Sequence, residues 1–198
     1  MKYFIAGTDT GVGKTVFTGL FARHLLEIGK TVVVQKWVQT GSGEIPEDIE
    51  THFKLMKKDR ESFLQENKLD LELLCPYNFS FPASPHLAAR KEGVEIDSEK
   101  IVSAYKVLEN RFEYILVEGS GGVLVPYSEK NTLLDIVDEL RLPVILVVGN
   151  KLGAINHTLL TIEALRQRGL VVKALVFSNI FSNQDKEVLA DNIDKIGR

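Results

Sequence analysis

A glycine-rich segment near the start of the chain carries residue types that suit phosphate binding. It reads Gly-Thr-Asp-Thr-Gly-Val-Gly-Lys-Thr from Gly7 to Thr15. Glycines let backbone N–H groups turn towards phosphate oxygens, a lysine reaches the β- and γ-phosphates, and a hydroxyl can ligate Mg²⁺. Five residues separate Gly7 from Gly13, where the common pattern has four. The segment predicts a nucleotide site, although a glycine turn capping a helix is the alternative. The site residues predicted here are Gly11, Val12, Gly13, Lys14, Thr15 and Val16.

A carboxylate that could hold Mg²⁺ follows a later apolar run. Tyr114 to Val117 reads as a strand, and Glu118 comes directly after it. A carboxylate there reaches the same sheet edge as the phosphate loop, where it can hold the metal together with Thr15. The next residues, Gly119, Ser120, Gly121 and Gly122, allow close approach of a ligand to the backbone. Glu118, Gly119, Ser120 and Gly121 therefore join the predicted nucleotide site. The alternative is an ordinary acid between a strand and a turn.

These residues need a scaffold in which strands and helices alternate. Short β-branched runs predict strands, and longer amphipathic stretches predict helices. The predicted strands are Lys2–Ala6, Thr31–Gln35, Tyr114–Val117, Val144–Val148 and Val171–Phe177. The predicted helices are Lys14–Ile28, Glu47–Lys58, Ser84–Lys91, Ser98–Asn110, Thr132–Leu140, Asn156–Arg168 and Asn183–Ile196.

The predicted fold class is α/β, with a doubly wound, mostly parallel sheet and helices on both faces. Strands such as Val144–Val148 are apolar on both sides, which is typical of a parallel sheet covered by helices. Ligands bind such sheets outside the carboxyl ends of the strands. The chain has 198 residues and shows no internal repeat or linker. We therefore expect a single P-loop-like domain over residues 1–198.

Composition and charge exclude several other classes of protein. The net charge of -3 gives no electrostatic reason to expect a nucleic-acid partner. Cys75 is the only cysteine, so an intrachain disulfide or a Cys/His metal cluster is excluded. The longest apolar run, Val144 to Val148, is too short to cross a membrane. The apolar start is cut off at Gly7, too soon for a signal peptide. We expect a cytoplasmic protein without a membrane partner.

Four further segments, taken in order with the phosphate loop, resemble the dethiobiotin synthetase family. They are Lys36-Trp37-Val38-Gln39-Thr40-Gly41, Ser84-Pro85-His86-Leu87-Ala88-Ala89, Val117-Glu118-Gly119-Ser120-Gly121-Gly122, and the run from Gly153 to Thr161. Each segment alone is a weak signal, but their order is specific. The resemblance covers residues 1 to about 180.

The resemblance implies an ATP-dependent cyclo-ligase of biotin biosynthesis. The family converts 7,8-diaminononanoate and CO₂ to a cyclic urea, with MgATP yielding ADP and phosphate. An amine becomes a carbamate, the carbamate is phosphorylated to a carbamic-phosphoric mixed anhydride, and the second amine closes the ring. A carbamate is a poor electrophile until it is phosphorylated, and its charge needs cations beside it.

The resemblance also assigns roles to individual residues. Lys36 matches the family's active-site lysine, and with Lys14 it is the expected catalytic pair. Thr40 matches a residue that contacts the substrate, and Asn179 matches the asparagine that reads the adenine base. The alternatives are a surface lysine at a strand end for Lys36 and a turn residue for Asn179.

Two implied features depend on less specific segments. Asp48 is the expected second carboxylate at the metal and nucleotide, although Glu47 or Glu50 could occupy that position, and acids are common at helix starts in any case.

Ala154, Ile155 and Asn156 open a helix whose free N–H groups would bind the substrate carboxylate. In the family this segment serves the neighbouring subunit, which implies a homodimer.

Two alternative functions remain at this stage. A cobyrinate-type ATP-dependent amidoligase shares the strand and loop pattern, but such enzymes usually carry a separate glutaminase domain. A ParA/MinD-like ATPase switch would partner a protein or a membrane, and usually has a second lysine early in the phosphate loop. This loop has Thr8, Asp9 and Thr10 instead.

Overall fold

A five-stranded parallel sheet forms the centre of the molecule in the computed structural model, which describes residues 1–181 and 184–197. Its strands are β1 (Lys2–Gly7), β2 (Val32–Lys36), β5 (Tyr114–Glu118), β6 (Val144–Gly149) and β7 (Val172–Ser178), in the spatial order β2-β5-β1-β6-β7. A separate two-stranded parallel sheet pairs β3 (Val38–Thr40) with β4 (Tyr77–Phe79).

Helices occupy most of the remaining chain. They are α1 (Lys14–Glu27), α2 (Glu47–Met56), α3 (Arg60–Asn67), α4 (Leu71–Leu74), α5 (Pro85–Lys91), α6 (Ser98–Glu109), α7 (Leu133–Glu139), α8 (Ala154–Gln167) and α9 (Lys186–Ile196). The α/β class and the parallel sheet expected from the sequence are confirmed.

Burial explains why the central strands are continuous apolar runs. Every residue of β2 and of β6 is buried, so both faces of the sheet are covered. The core continues through large side chains such as Trp37, Phe53 and Tyr105, each at most 2% exposed. The sheet is therefore a rigid platform whose carboxyl-terminal edge holds the loops.

Strand register brings distant residues to that edge. Lys36 at the end of β2 is the register partner of Glu118 at the end of β5, although 82 residues separate them. Ile5 of β1 pairs with Glu118 from the other side, so the phosphate loop leaves the sheet beside this pair. Parallel pairing thus places the loop, the lysine and the carboxylate side by side.

Two of the helices pack unusually closely. Gly19 of α1 faces α2, and a Cβ atom added there would lie 2.8 Å from the Leu55 Cβ and 3.3 Å from the His52 Cα. A glycine at this crossing lets α2 approach α1, and with it the phosphate loop from which α1 starts. The position of α2 relative to the sheet edge depends on this contact.

Several elements differ from the sequence predictions. The structure starts α8 at Ala154 rather than at Asn156, and it adds β3, β4, α3 and α4, which were not predicted. The final helix was predicted from Asn183, which lies outside the described residues, and α9 begins at Lys186. The elements β3, β4 and α4 have three or four residues and are too short to display a period, and α3 has eight residues of which only Phe63 is buried. Among the described residues, no helix is both long and apolar enough to span a membrane.

Candidate active site

The phosphate loop joins β1 to α1 as the sequence predicted. Gly13 is the residue before α1 and has a left-handed backbone with φ of 98°, a conformation that glycine adopts without strain. Thr8, which stands where the common pattern has its first glycine, is hydrogen-bonded to β6. Its N–H donates to the Val147 carbonyl at 3.0 Å, and its hydroxyl accepts from the Gly149 N–H at 3.4 Å.

Lys14 lies inside the loop rather than in solvent. Its Nζ donates to the Asp9 carbonyl at 2.9 Å, and the residue is only 5% exposed. A Cβ at Gly7 would come within 2.9 Å of this ammonium group, so the loop needs glycine there. Burial, and next the charge of Lys36, lower the pKa of Lys14 to about 8. The negative charge of a bound phosphate would favour the protonated ammonium group and raise the pKa of Lys14 again, which suits this lysine to phosphate binding.

Thr15, Asp48 and Glu118 form a cluster of oxygen atoms beside the loop. The Thr15 hydroxyl lies 3.1 Å from Asp48 Oδ1 and 2.9 Å from Glu118 Oε1. The first turn of α2 supplies Asp48, and the end of β5 supplies Glu118. Glu47 and Glu50, the alternatives to Asp48, are both exposed.

Lys36 joins the two carboxylates of this cluster. Its Nζ lies 2.7 Å from Asp48 Oδ2 and 2.9 Å from Glu118 Oε1, and it donates to the Gly119 carbonyl at 3.0 Å. Burial alone would lower the pKa of Lys36, but Glu118 and then Asp48 hold it well above the usual range. For Glu118, burial opposes ionisation, yet Lys36 and a hydrogen bond from His52 keep its pKa well below the usual range. Both groups are therefore charged at neutral pH.

His52 belongs to this cluster, and the sequence analysis did not identify it. Its Nε2 lies 2.6 Å from Glu118 Oε2, and the side chain is fully buried. It stands four residues after Asp48 on α2, so both residues lie on the same helix face. That spacing is the one signal in the sequence that could have linked the two.

Most of the predicted site residues line one cavity of about 710 Å³, a size usual for small-molecule sites. Its lining includes Gly11, Gly13, Lys14, Thr15, Val16, Lys36, Thr40, Asp48, Glu118, Ser120 and Gly121. Two predicted residues, Val12 and Gly119, do not line the cavity but pack against the core next to it. Val12 packs into the core at 1% exposure, and Gly119 approaches Phe4 so closely that an added Cβ would lie 2.7 Å from its ring.

Asn179 lies just beyond the end of β7, next to Ile180, which lines the cavity. The Asn179 Oδ1 accepts from Asn150 Nδ2 at 3.0 Å. The Oδ1 of Asn150 in turn accepts from Asn192 Nδ2 of α9 at 2.8 Å, and Asn150 Nδ2 also donates to the Leu189 carbonyl. Asn192 Nδ2 also donates to the Lys151 carbonyl. A carbonyl can only accept, so Leu189 and Lys151 identify the NH₂ groups of Asn150 and Asn192. The orientation of Asn150 in turn identifies the Asn179 oxygen as the acceptor.

The start of α8 does not reach this cavity within one chain. Ile155 and Asn156 line a different cleft of about 930 Å³ against α9, and Ala154 is buried. The lining of this cleft is mixed, with Leu152 and Leu159 on one side and Glu187, Asp191 and Asp194 from α9 on the other. Leu152 is 81% exposed, and Leu124 and Leu160 line one shallow groove beside α8. The structure thus separates Ala154, Ile155 and Asn156 from the other predicted site residues.

The oxygen cluster fits a divalent cation of the Mg²⁺ type. A hydroxyl and two carboxylates are hard oxygen donors, and phosphate oxygens and water complete such a site in nucleotide enzymes. Among the described residues, no group of three or more His, Cys, Asp or Glu side chains could hold a metal by itself. Thr15, Asp48 and Glu118 suit a metal that arrives with a nucleotide.

The fold and the phosphate loop define a nucleotide-binding protein of the P-loop class. A family model described as an AAA domain matches residues 1–197. The solved structures that resemble the chain share this fold at low identity. A MinC:MinD cell division complex of Aquifex aeolicus has a TM-score of 0.56 at 17% identity, over 98% of this chain and 77% of that one. A ParA family ATPase from Chlorobium tepidum has a TM-score of 0.54 at 13% identity, over 100% and 80%.

Sequence comparison narrows the class to one family of enzymes. The ATP-dependent dethiobiotin synthetase BioD 2 of Haemophilus influenzae is 43% identical over 88% of this chain and 89% of its own length. The ATP-dependent dethiobiotin synthetase BioD of Chlorobaculum tepidum is also 43% identical, over 98% and 81%. The chain belongs to the dethiobiotin synthetase family.

Proposed function

We propose that the chain is an ATP-dependent dethiobiotin synthetase, which closes a cyclic urea on 7,8-diaminononanoate with CO₂ and MgATP. The observation that carries this proposal is the meeting of Lys14, from the phosphate loop, and Lys36, from another strand, in one cavity. A plain nucleotide hydrolase needs the first lysine. A second buried ammonium at the cavity suits a reaction whose carbamate and phosphoryl groups both carry negative charge.

The chemistry proceeds in balanced steps. One amine adds to CO₂ and loses a proton to give a carbamate. A carbamate oxygen attacks the γ-phosphorus of ATP, and ADP leaves. The second amine then attacks the carbonyl of the mixed anhydride and loses a proton, the C–O bond to phosphate breaks, and phosphate leaves with the ring closed. In this scheme Lys36 would hold the carbamate, and Lys14 would hold the transferred phosphoryl group.

The metal site is part of the proposal. Thr15, Asp48 and Glu118 would hold Mg²⁺, which, when bound, offsets the charge of the phosphates. The short distances from the Thr15 hydroxyl to both carboxylates support this assignment, because one hydroxyl proton cannot serve two acceptors while a cation could bind all three oxygens. Gly11, Gly13 and Val16 would bind phosphate through main-chain N–H groups. Asn179 would read the base, Gly119, Ser120 and Gly121 would border the nucleotide, and Thr40 would contact the substrate.

Product formation tests the proposal directly. Incubation with diaminononanoate, bicarbonate and MgATP is expected to yield dethiobiotin by mass spectrometry, with one ADP released per product. Omission of the diamine should abolish ADP release. An ATPase switch of the ParA/MinD kind would release ADP without the diamine, and an amidoligase would require ammonia or glutamine. Either result would refute the assignment.

We also propose a homodimer in which α8 of one subunit completes the site of the other. The separation of Ala154, Ile155 and Asn156 from the cavity of their own chain supports this arrangement, as does the exposed leucine surface beside them. The N–H groups of Ile155 and Asn156 at the start of α8 would bind the substrate carboxylate, whereas the N–H of Ala154 donates to the Lys151 carbonyl. A cytoplasmic location and a single-domain organisation remain predictions.

Subunit mixing tests the shared site. Lys36→Ala and Asn156→Asp proteins should each be inactive alone, because each breaks both sites of its own dimer. A 1:1 mixture should recover about a quarter of wild-type activity, since half of the dimers are hybrids with one intact site. Sites built within one chain would give no recovery on mixing.

A further inference from the structure

Helix α2 brings two side chains to Glu118 from one face. Asp48 lies at the cavity, and His52 lies one turn further along, fully buried behind the carboxylate. Because residues four apart stack on one side of a helix, the position of α2 sets both contacts together. Asp48 was expected at this site, whereas no role has been given to His52.

The two oxygens of Glu118 have different partners. Oε1 accepts from the Thr15 hydroxyl at 2.9 Å and from Lys36 Nζ at 2.9 Å. Oε2 lies 2.6 Å from His52 Nε2. A carboxylate can rotate about its last bond, and a short hydrogen bond on one oxygen removes that freedom. Oε1 is therefore held towards the cavity and Oε2 away from it.

The hydrogen bond also determines the tautomer of the imidazole. A carboxylate only accepts hydrogen bonds, so Nε2 carries the proton. The other ring nitrogen, Nδ1, is buried and has no hydrogen-bond partner among the described residues. Within the part of the chain that the structure describes, the only polar contact of the ring is therefore with Glu118.

We propose that His52 is a positioning residue that fixes the Glu118 carboxylate so that Oε1 alone faces Thr15 and the cation site. The inference rests on the proposed function, which places a divalent cation at Thr15, Asp48 and Glu118. It adds that Glu118 would bind the cation through Oε1 only. Partners of this kind, one step behind a ligand, commonly change metal affinity by about 10- to 100-fold when removed.

A matched pair of substitutions separates positioning from packing. In His52→Gln the amide nitrogen falls near the place of Nε2 and can still donate to Glu118. In His52→Asn the shorter amide falls near Nδ1, where the structure offers it no partner. Both variants shrink a buried ring, so a purely structural role would affect them alike.

The experiment measures Mg²⁺-dependent ADP binding by calorimetry, which needs no diamine and no turnover. We expect His52→Asn to raise the Mg²⁺ concentration for half-saturation by about tenfold or more. His52→Gln should stay within about threefold of wild type. Equal values for the two variants, with equal losses of melting temperature, would overturn the inference. Failure to form dethiobiotin would refute the proposed function but leave this comparison valid.

A measurement on the unaltered protein covers the case in which the variants do not fold. In ¹⁵N-histidine-labelled protein, His52 is identified after substitution of the other histidines, His24, His86 and His157. Its imidazole should carry a proton on Nε2 that is hydrogen-bonded to the Glu118 carboxylate. An imidazole without a proton on Nε2 would contradict the inference.

Discussion

Lys36 lies between two carboxylates at the floor of the cavity. Without it, Asp48 and Glu118 would face each other beside Thr15, and neither would keep an ion pair with a lysine ammonium. Removing one partner from a buried ion pair usually costs about 3 to 5 kcal/mol, because the remaining charge stays desolvated. A divalent cation at the same oxygens would restore the balance. In the proposed reaction, Lys36 would therefore link catalysis to the stability of the metal-free protein.

Substitution of Lys36 by methionine tests this link. We expect dethiobiotin formation to fall by at least about 10²-fold, and the metal-free protein to lose about 3 kcal/mol of unfolding free energy. Mg²⁺ should raise the melting temperature of Lys36→Met more than that of wild type. Lys58→Met, at an exposed lysine, is the matched control. Equal Mg²⁺ effects on all three proteins would contradict the charge-balance argument.

Cys75 gives a prediction about pH. The side chain is buried, and its Sγ–H donates to the Tyr77 carbonyl. Burial raises the pKa of the Cys75 thiol to about 12. Native protein at pH 8 should therefore not react with a thiol-specific disulfide reagent, while denatured protein reacts fully. Because the unfolded thiol loses its proton first, this group lowers stability as pH rises from about 9 to 12. Rapid labelling of folded protein would disprove the burial.

Some of these residues could be recognised from sequence and others could not. Gly13, Lys14 and Thr15 are adjacent, so one segment shows their shared chemistry. Lys36 and Glu118 end separate strands, and the parallel arrangement implies that they meet. His52 has no such local pattern, because its role depends on the packing of α2 against the sheet. A histidine within a helix has the same appearance in the sequence whether it contacts a carboxylate or solvent.

At the level of elements, the crossing of α1 and α2 controls the site. The close approach at Gly19 lets α2 carry Asp48 and His52 to Glu118. Sequence periodicity predicted both helices but not this contact, because a glycine within a helical pattern does not indicate which other helix packs against it. The small sheet of β3 and β4 was missed for a related reason. Its strands have three residues each, and pairing rather than pattern defines them.

Substitution of Gly19 by alanine should separate the two helices. Alanine favours a helix over glycine by about 1 kcal/mol, but overpacking a tight contact costs about 1 to 3 kcal/mol. Since the added methyl group would meet the His52 backbone, which cannot rotate away, we expect a net loss of stability. The Mg²⁺ requirement should rise as well. Gly43→Ala, where the added Cβ has open space, should leave both chemical denaturation and Mg²⁺ titration unchanged.

At the scale of the whole molecule, the exposed leucines near α8 predict an interface. If the proposed dimer forms through this surface, Leu160→Asp should give a monomer by light scattering and abolish dethiobiotin formation, because a charge would be buried at the contact. Val107→Asp on α6 is the control, since Val107 is also an exposed apolar residue. A Leu160→Asp protein that remains a fully active dimer would place the interface elsewhere.

The strand order has a consequence for synthesis on the ribosome. The first strand to emerge, β1, pairs with β5 and β6, and β2 pairs with β5. Neither β1 nor β2 can pair with another strand of the main sheet until β5, which begins at Tyr114, has been synthesised. At ribosomal speeds this wait lasts on the order of ten seconds. Arrested chains that end before β5 should therefore be cut readily by protease and should not bind nucleotide, although they contain the complete phosphate loop. Chains extended past β6, with both neighbours of β1 released from the ribosome, should acquire protease resistance in that loop.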